Sequence, residues 1–361
     1  RRSSDLSRHI VALARALTVL HHIVGVSRRK YDQAALIKQL ASAAINADVE
    51  AARFLPQLLS DSCVVATSQE LYFEAAQLCQ EAIVLQGKLT GEKSTSVAAY
   101  MNNLASVYRH SGQTNEALQQ YQRALDFLLQ SGDRQSPWTT MTLRNLASLL
   151  YNSGRISEAA GRYEEALRLV EQNVGTEDPK LLTSLQSLVA SQLRLQSILA
   201  AQANAERMLR IAQKSFGAVH EQTAGAHVML AQVLFSQKHY AEALQHRELA
   251  RAVYEETKES DDIAENLVGI ANCLRELGRA KEALPLVERA INLIGNRSDS
   301  WLRAEAEFAL AQILWLLNNP KYRVRSYANA QSALHAYEGE GPLGQPGKTA
   351  VSEWLALHKL P

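Results

Sequence analysis

Histidine and carboxylate side chains are the groups in this sequence with the most obvious capacity for chemistry. The histidines include an adjacent pair, His21 and His22, and a loose cluster at His220, His227, His239 and His246. A zinc site needs three or four donors that converge on one point. No two histidines have the four-residue spacing that places ligands on one helix face beside a third donor, so no metal site is predicted. Paired carboxylates such as Glu164 and Glu165 are predicted to be solvated charges on polar helix faces.

Residues 341–349 superficially resemble a phosphate-binding loop. The GxxxxGK[ST] spacing puts Pro342 where the first Gly belongs, and residues 333–337 are typical of a helix, whereas this motif follows a strand. We therefore interpret residues 339–348 as a Gly- and Pro-rich loop. Neither a Gly-x-Ser-x-Gly elbow nor a Cys with a positioned His base is recognisable. The sequence predicts a protein that is not an enzyme and that uses no cofactor.

The composition favours helices over strands. The 361 residues include only 17 glycines and 8 prolines, and strong helix formers such as Ala, Leu, Gln, Glu and Arg dominate. With 38 basic and 37 acidic residues the formal net charge is +1, which gives no electrostatic reason to expect a nucleic acid or an anionic membrane as a partner. We expect an all-α chain with short connections.

The beginning of the chain and its cysteines indicate the cellular context. The sequence starts at Arg1 without Met, as expected of a portion of a longer protein. Residues 10–24 form an apolar stripe, shorter than the roughly 20 residues that a membrane span needs, and are predicted to be a packing helix. Cys63, Cys79 and Cys273 are odd in number and lack a CxxC spacing, so we expect buried thiols in a reducing, cytoplasmic setting.

A repeat of 42 residues organises most of the chain. Its clearest copy contains Leu104, Ala105, Tyr108, Gly112, Ala117, Tyr121 and Ala124, and the pattern returns 42 residues later as Leu146, Ala147, Leu150, Gly154, Ala159, Tyr163 and Ala166. Further copies contain Leu188 and Leu230, and the spacing then falls to 40 for copies that contain Ile270 and Leu310. Six or seven units therefore span residues 60–335.

Each unit is predicted to be a helical hairpin. Apolar residues four apart, such as Leu104 and Tyr108, mark a first helix, Gly112 marks the turn, and Ala117 and Tyr121 mark a second helix. One hairpin cannot bury its apolar stripe alone, whereas stacked neighbours can. We therefore predict a right-handed superhelical solenoid.

The order of these residues resembles the tetratricopeptide repeat, and the length of 42 residues is similar to the kinesin-light-chain subclass of that family. The resemblance implies a solenoid that binds protein partners along its concave surface. The third unit departs from the pattern with Gln196 at the turn, and the sixth departs with Asn318 at the turn and Arg323 at a small-residue position. Residues 303–311 and 352–358 resemble the repeats that follow bacterial serine/threonine protein kinase domains.

The two ends of the chain lie outside the repeat register. Residues 1–59 are predicted to form an N-terminal helical cap, broken at Gly25 and at residues 46–48, because a terminal unit must cover an open apolar face. The alternative for this segment is an independent binding module. Residues 336–361 are predicted to contain the Gly- and Pro-rich loop and a capping helix from Thr349 to Leu357, packed by Trp354 and Leu355.

The first helix of each unit is predicted to line a partner-binding groove. Positions two before, two after and five after the key Leu share one helix face. The neighbouring Asn103 and Asn145 match the family position whose amides hold an extended ligand backbone. The predicted partner-binding residues are Asn102, Asn103, Ser106, Arg109, Arg144, Asn145, Ser148, Tyr151, Gln232, Phe235, Asn272, Arg275 and Trp315.

These observations favour a non-catalytic scaffold that binds a peptide or a partner helix in this groove, with neither nucleic acid nor membrane among its partners. The alternative, which the C-terminal resemblance favours, is a regulatory or sensory region of a larger signalling enzyme such as a bacterial serine/threonine kinase. A self-contained hydrolase has the least support, because no catalytic constellation is recognisable in the sequence.

Overall fold

The computed structural model of the protein describes residues 2–91, 94–132, 134–257, 260–295 and 301–358. Within these ranges the chain is helical with short turns and contains no β-strand, which confirms the predicted all-α repeat solenoid. The chain forms two compact units, Arg1–Leu150 (unit 1) and Tyr151–Pro361 (unit 2). The boundaries proposed above for the repeats, at residues 60 and 335, stay predictions.

The described residues of unit 1 form six α-helices and most of a seventh. They are α1 (Arg2–His21), α2 (Tyr31–Asn46), α3 (Leu55–Ser68), α4 (Tyr72–Thr90), α5 (Thr95–His110), α6 (Thr114–Gln130) and α7 (Pro137–Asn152). Helices α3 and α4 pair as one hairpin, and α5 and α6 pair as the next. The last residues of α7, from Tyr151 onward, belong to unit 2.

Unit 2 continues the alternation of first and second helices. Its helices are α8 (Ile156–Val174), α9 (Leu182–Arg194), α10 (Ile198–Phe216), α11 (Glu221–Ser236), α12 (Tyr240–Thr257), α13 (Ser260–Glu276), α14 (Ala280–Ile294), α15 (Trp301–Leu316), α16 (Pro320–Gly339) and α17 (Gly341–Leu357). Each odd-numbered helix from α9 to α15 pairs with the helix that follows it.

The turns inside successive repeats share one backbone geometry. A residue with positive φ, between 50° and 78°, occupies the turn at Glu70, Gly112, Gly154, Gln196, Lys238, Gly278 and Asn318. These positions follow the repeat spacing found in the sequence. In the clearest copy the N–H of Gln113 donates to the carbonyl of Tyr108 at 2.8 Å, which closes the end of the first helix. The predicted turn glycines are confirmed, and Gln196 and Asn318 keep the turn without glycine.

Small side chains let the paired helices approach closely, as predicted. Ala117, Ala159, Ala201, Ala243 and Ala283 occupy equivalent positions on successive second helices, and all five are fully buried. The sixth unit compensates for Arg323 differently, because this guanidinium lies over the ring of Trp315 at 3.7 Å from its centroid.

A π-helical turn, His22–Ser27, joins α1 to the connection that leads into α2. The break predicted at Gly25 is misplaced, because Gly25 is buried inside this turn and the chain leaves helical geometry after Ser27. A Cβ atom on Gly25 would lie 2.6 Å from Cγ2 of Val65, so glycine allows the turn to pack closely on α3. The break at residues 46–48 is confirmed, since α2 ends at Asn46.

The N-terminal helical segment Asp5–Ser27 is long and apolar enough to cross a membrane, judged by length and composition. An 18-residue window within its 23 residues has a mean hydropathy of 1.7, so the expectation that it is too short for a span is wrong. The helical segment extends on both sides beyond residues 10–24, the apolar stripe recognised in the sequence. Core helices of soluble proteins and signal sequences meet the same criterion, so it does not by itself identify a membrane segment.

Two of the three cysteines form a disulfide between α3 and α4. The Sγ atoms of Cys63 and Cys79 are 2.12 Å apart and their Cα atoms 5.5 Å apart, so the prediction of buried thiols is wrong for this pair. Antiparallel packing of neighbouring helices brings together positions that no sequence motif connects. Cys273 is a buried thiol, as expected, and burial raises its pKa to about 11. The disulfide removes the argument from unpaired thiols for a cytoplasmic setting.

Helix α17 begins at Gly341, so the loop predicted over residues 339–348 is wrong. Pro342 fits because the first turn of a helix leaves its N–H groups unpaired. The glycines serve packing here: a Cβ on Gly344 would overlap the Tyr337 carbonyl oxygen, and one on Gly347 would lie 2.5 Å from the Tyr337 ring. Glycine in this segment therefore allows α17 to lie directly against α16.

Candidate functional site

Unit 2 contains a cavity of about 690 Å³ lined mainly by first helices of its repeats. Helices α9, α11, α13 and α15 contribute to its wall, together with the start of α17. Much of the wall is apolar, with Leu193, Met229, Phe235, Val268 and Trp301 among the lining residues. The volume lies in the range of pockets that hold compact ligands.

The start of α17 closes one side of this cavity. Nη2 of Arg194, at the end of α9, donates a hydrogen bond to the carbonyl of Leu343 at 3.1 Å. A Cβ atom on Gly154 would lie 3.0 Å from Cβ of Pro342, so the turn after α7 also contacts this segment. Residues about 150 to 190 positions apart in sequence thus meet at the cavity, and Leu343 and Pro346 form part of its wall.

One buried cation reaches the cavity from a second helix. Arg247 of α12 lies beside Gly269 of α13, where a Cβ atom would be 2.6 Å from Nε and 2.7 Å from Nη1 of the guanidinium. Arg247 is 7% exposed, and burial lowers its pKa. Asn266 holds it from both sides, because Nδ2 of Asn266 donates to the Arg247 carbonyl at 2.9 Å and Oδ1 accepts from Nη1 at 3.4 Å.

Carboxylates complete the polar part of the wall. Glu265 of α13 and Glu305 of α15 line the cavity and interact electrostatically with Arg247. Burial, reinforced by the charge of Glu265, raises the pKa of Glu305 to about 7. Near neutral pH a large fraction of Glu305 is therefore protonated and can donate a hydrogen bond.

The cavity brings together four of the residues predicted to bind a partner. Tyr151, Gln232, Phe235 and Asn272 all line it. The Gln232 side chain also reaches Oε1 of Glu265 at 3.5 Å. The helix-face rule applied to the sequence therefore selects positions on α11 and α13 that line this cavity.

Two other predicted residues of unit 2 lie outside the cavity wall. Arg275 donates to Asn272 at 2.9 Å and to Gln312. Trp315 packs edge-on against Trp354 of α17, with ring centroids 5.6 Å apart. A partner that used Trp315 would have to displace α17.

The predicted residues of unit 1 form hydrogen bonds with one another and with neighbouring helices. Nδ2 of Asn145 donates to Oδ1 of the buried Asn102 at 3.0 Å, and Nδ2 of Asn103 donates to Oγ of Ser60 at 3.0 Å. Of the remaining members, Ser106 and Arg109 form hydrogen bonds with the His110 ring at 3.4 Å and 3.3 Å, whereas Arg144 and Ser148 are half-buried. Each of the two amides at the family position thus has one donor already in use.

Sequence reasoning missed the charged residues of the cavity. Arg247 belongs to a second helix, which the helix-face rule does not include, and Arg194 and Glu305 lie off the three positions used. One signal was available: Gly269 stands in the middle of a predicted helix, where glycine is unfavourable and where no turn requires it. Such a glycine indicates a close approach by another group.

A pair of histidines lies apart from the cavity wall. Nδ1 of His227 on α11 and Nδ1 of His246 on α12 are 2.8 Å apart. Two donors do not make a metal site, and among the described residues no group of three His, Cys, Asp or Glu side chains could hold a metal ion.

Comparisons with known proteins agree with the repeat geometry. Family models described as tetratricopeptide repeat match residues 55–130 and 139–180. No curated protein matches the sequence.

Several solved structures share the fold. The apo form of RapI matches with a TM-score of 0.63 at 15% identity, over 79% of this chain and 98% of that one. A Rap protein complexed with Competence and Sporulation Factor matches with a TM-score of 0.57 at 13% identity, over 98% and 100% of the two chains. Kinesin light chain TPR-like repeats from Podosopora anserina match with a TM-score of 0.51 at 19% identity, over 56% and 95%. At these identities the likeness concerns the fold.

Proposed function

We propose that the chain is a non-catalytic interaction scaffold that binds a peptide segment of a partner in the cavity of unit 2, in keeping with the tetratricopeptide repeat models that match residues 55–130 and 139–180. The observation that carries this proposal is the position of the cavity, about 690 Å³ in volume, on the first helices of consecutive repeats. Apolar walls provide contact area, and a few polar groups such as Gln232 and Asn272 can hold a peptide backbone.

The likeness to a Rap protein that was solved with Competence and Sporulation Factor supports ligand binding by this fold. Asn103 and Asn145 of unit 1 are proposed as a second contact region, through their amide oxygens. The alternative of a regulatory region within a larger signalling enzyme stays a prediction.

Selection of displayed peptides on the immobilised chain tests the proposal. We expect enriched peptides whose affinity falls about tenfold or more in Phe235→Ala, because the contact between the aromatic ring and the bound peptide is lost. Phe216→Ala is the matched control, since Phe216 of α10 is partly exposed and lies outside the cavity wall. Equal affinities of wild type and Phe235→Ala for every enriched peptide would place the binding site elsewhere.

The contribution of unit 1 needs a separate variant. Asn103→Ala combined with Asn145→Ala should weaken binding of those enriched peptides that keep their affinity in Phe235→Ala. An unchanged affinity for all of these peptides would show that Asn103 and Asn145 do not bind them.

A further inference from the structure

We propose that the cavity of unit 2 recognises its ligand through a carboxylate, which the guanidinium of Arg247 binds while the apolar wall holds the remainder. This inference rests on the proposed function, because it specifies the chemistry of the ligand in the same cavity. The carboxylate belongs either to the end of a peptide chain or to an Asp or Glu side chain.

Arg247 reaches the cavity by a different path from its neighbours in the wall. The other lining residues of the repeats belong mainly to first helices, whereas Arg247 comes from the second helix α12. Its guanidinium occupies the space that a side chain at position 269 would fill. Glycine at this position therefore opens a passage for a charged group from α12 to the cavity wall.

The guanidinium of Arg247 has hydrogen-bond donors that the described residues leave unused. A guanidinium has five N–H donors in a planar fork. Among the described residues, the hydrogen bond found for this fork is the one to Oδ1 of Asn266, at a long 3.4 Å. No described carboxylate oxygen lies within the 4.0 Å of an ion pair with Arg247. A buried cation with unused donors is unfavourable unless an acceptor completes it.

An anion suits the site although carboxylates line it. Glu265 already accepts from Gln232, and Glu305 is protonated to a large extent near neutral pH. A protonated Glu305 can donate to a second carboxylate. Arg194 adds another guanidinium to the same wall. A carboxylate matches the fork of Arg247 with two parallel hydrogen bonds, a geometry that a neutral amide oxygen cannot provide.

The experiment compares three pools of N-acetylated tetrapeptides with apolar side chains, using the whole chain and affinity selection with mass spectrometry. One pool ends in a free carboxylate, the second ends in an amide, and the third ends in an amide but contains one Glu. We expect at least tenfold tighter binding of the first or third pool than of the second. Preference for the first pool identifies a chain end, and preference for the third identifies a side chain.

Arg247→Met should abolish this preference and leave the weaker binding of the amide pool. Arg251→Met is the matched control, because Arg251 lies on the same helix, pairs with Glu248 at 3.3 Å and does not line the cavity. It should keep the full preference. Gly269→Ala provides a second variant that retains the charge but fills the passage, and it should also lose the preference, so the test stands if Arg247→Met does not fold.

Different failures have different meanings. Equal binding of all three pools by the wild type, or an unchanged preference in folded Arg247→Met and Gly269→Ala, would overturn the carboxylate inference and leave peptide binding intact. A control pool that ends in an amide and is left unacetylated carries a free amine, and its preferential capture would show that Glu265 and Glu305 select a cation instead. Failure to retain any peptide from any pool would overturn the proposed function as well.

Discussion

The imidazole rings of His227 and His246 face each other across α11 and α12, with Nδ1 atoms 2.8 Å apart and ring centroids 5.0 Å apart. One nitrogen must be an unprotonated acceptor for the other to donate. The pair can therefore form this hydrogen bond only while at least one ring is neutral.

Acid should destabilise unit 2 through this pair. Burial, together with the charge of His246, lowers the pKa of His227 to about 4 from 6.5, and burial also lowers the pKa of His246. Between these values the unfolded chain binds more protons than the folded one, so stability falls as the pH drops from about 6.5 to 4. The loss should be about 1 to 3 kcal/mol. Urea denaturation of wild type and of the His227→Gln, His246→Gln variant measures it, and parallel pH curves would refute the assignment.

Reduction of the Cys63–Cys79 disulfide should lower the stability of unit 1. The bond closes a loop with a sequence separation of 16, and a loop of this size contributes about 3 kcal/mol. Comparing the melting temperature with and without a reductant tests this. The Cys63→Ser, Cys79→Ser variant should melt like the reduced wild type and should not respond to reductant. A melting temperature that reductant leaves unchanged in the wild type would contradict the expectation.

Gly344→Ala should loosen the packing of α17. The added methyl group would overlap the carbonyl oxygen of Tyr337 and approach Cβ of Glu340 to 2.8 Å, and a backbone atom cannot move aside easily. We expect a cost of about 1 to 3 kcal/mol. Gly339→Ala is the control, since no heavy atom lies within 4 Å of its added Cβ. Equal thermal stabilities of the two variants would mean that α17 tolerates displacement.

Introducing a glycine at one repeat turn and removing a glycine at another should change the stability of the protein in opposite directions. Gln196 has φ 58°, a left-handed conformation that is unfavourable for residues with a side chain, so Gln196→Gly should stabilise the protein by about 0.5 to 1 kcal/mol. Gly112→Ala, at φ 78° with open space around it, should destabilise it by about 1 kcal/mol. Chemical denaturation distinguishes the two, and a shared sign of the changes would disprove the common turn geometry.

The Glu305 carboxyl should destabilise unit 2 as the pH rises from about 4.5 to about 7. Its folded pKa of about 7 lies above the ordinary 4.5, so the folded state binds more protons between these values and stability falls as the pH rises through them. Glu305→Gln removes this pH dependence. By pH 8 its free energy of unfolding should exceed that of the wild type by at most about 3 kcal/mol. Glu353→Gln on the exposed side of α17 should follow the wild-type curve. A constant difference between Glu305→Gln and wild type across this range would rule out the shifted ionisation.

The sequence by itself determined the features that depend on local spacing. The recurrence of Leu104, Gly112 and Ala117 in later copies was sufficient for the helical hairpins, their turns and the small residues at their contacts. It also identified Gln232 and Phe235 as residues of one helix face, because a helix repeats its faces every three to four residues. These properties follow from distances along the chain.

Only the tertiary structure decided which distant residues meet. The pairing of Cys63 with Cys79, the approach of Leu343 to Arg194 and the passage of Arg247 over Gly269 each join separate helices. Glycine illustrates the limit of sequence reasoning, since it marks a turn at Gly112 but close packing at Gly344 and Gly269. The same missing side chain permits a left-handed backbone or a close neighbour, and only the packed chain shows which of the two is used.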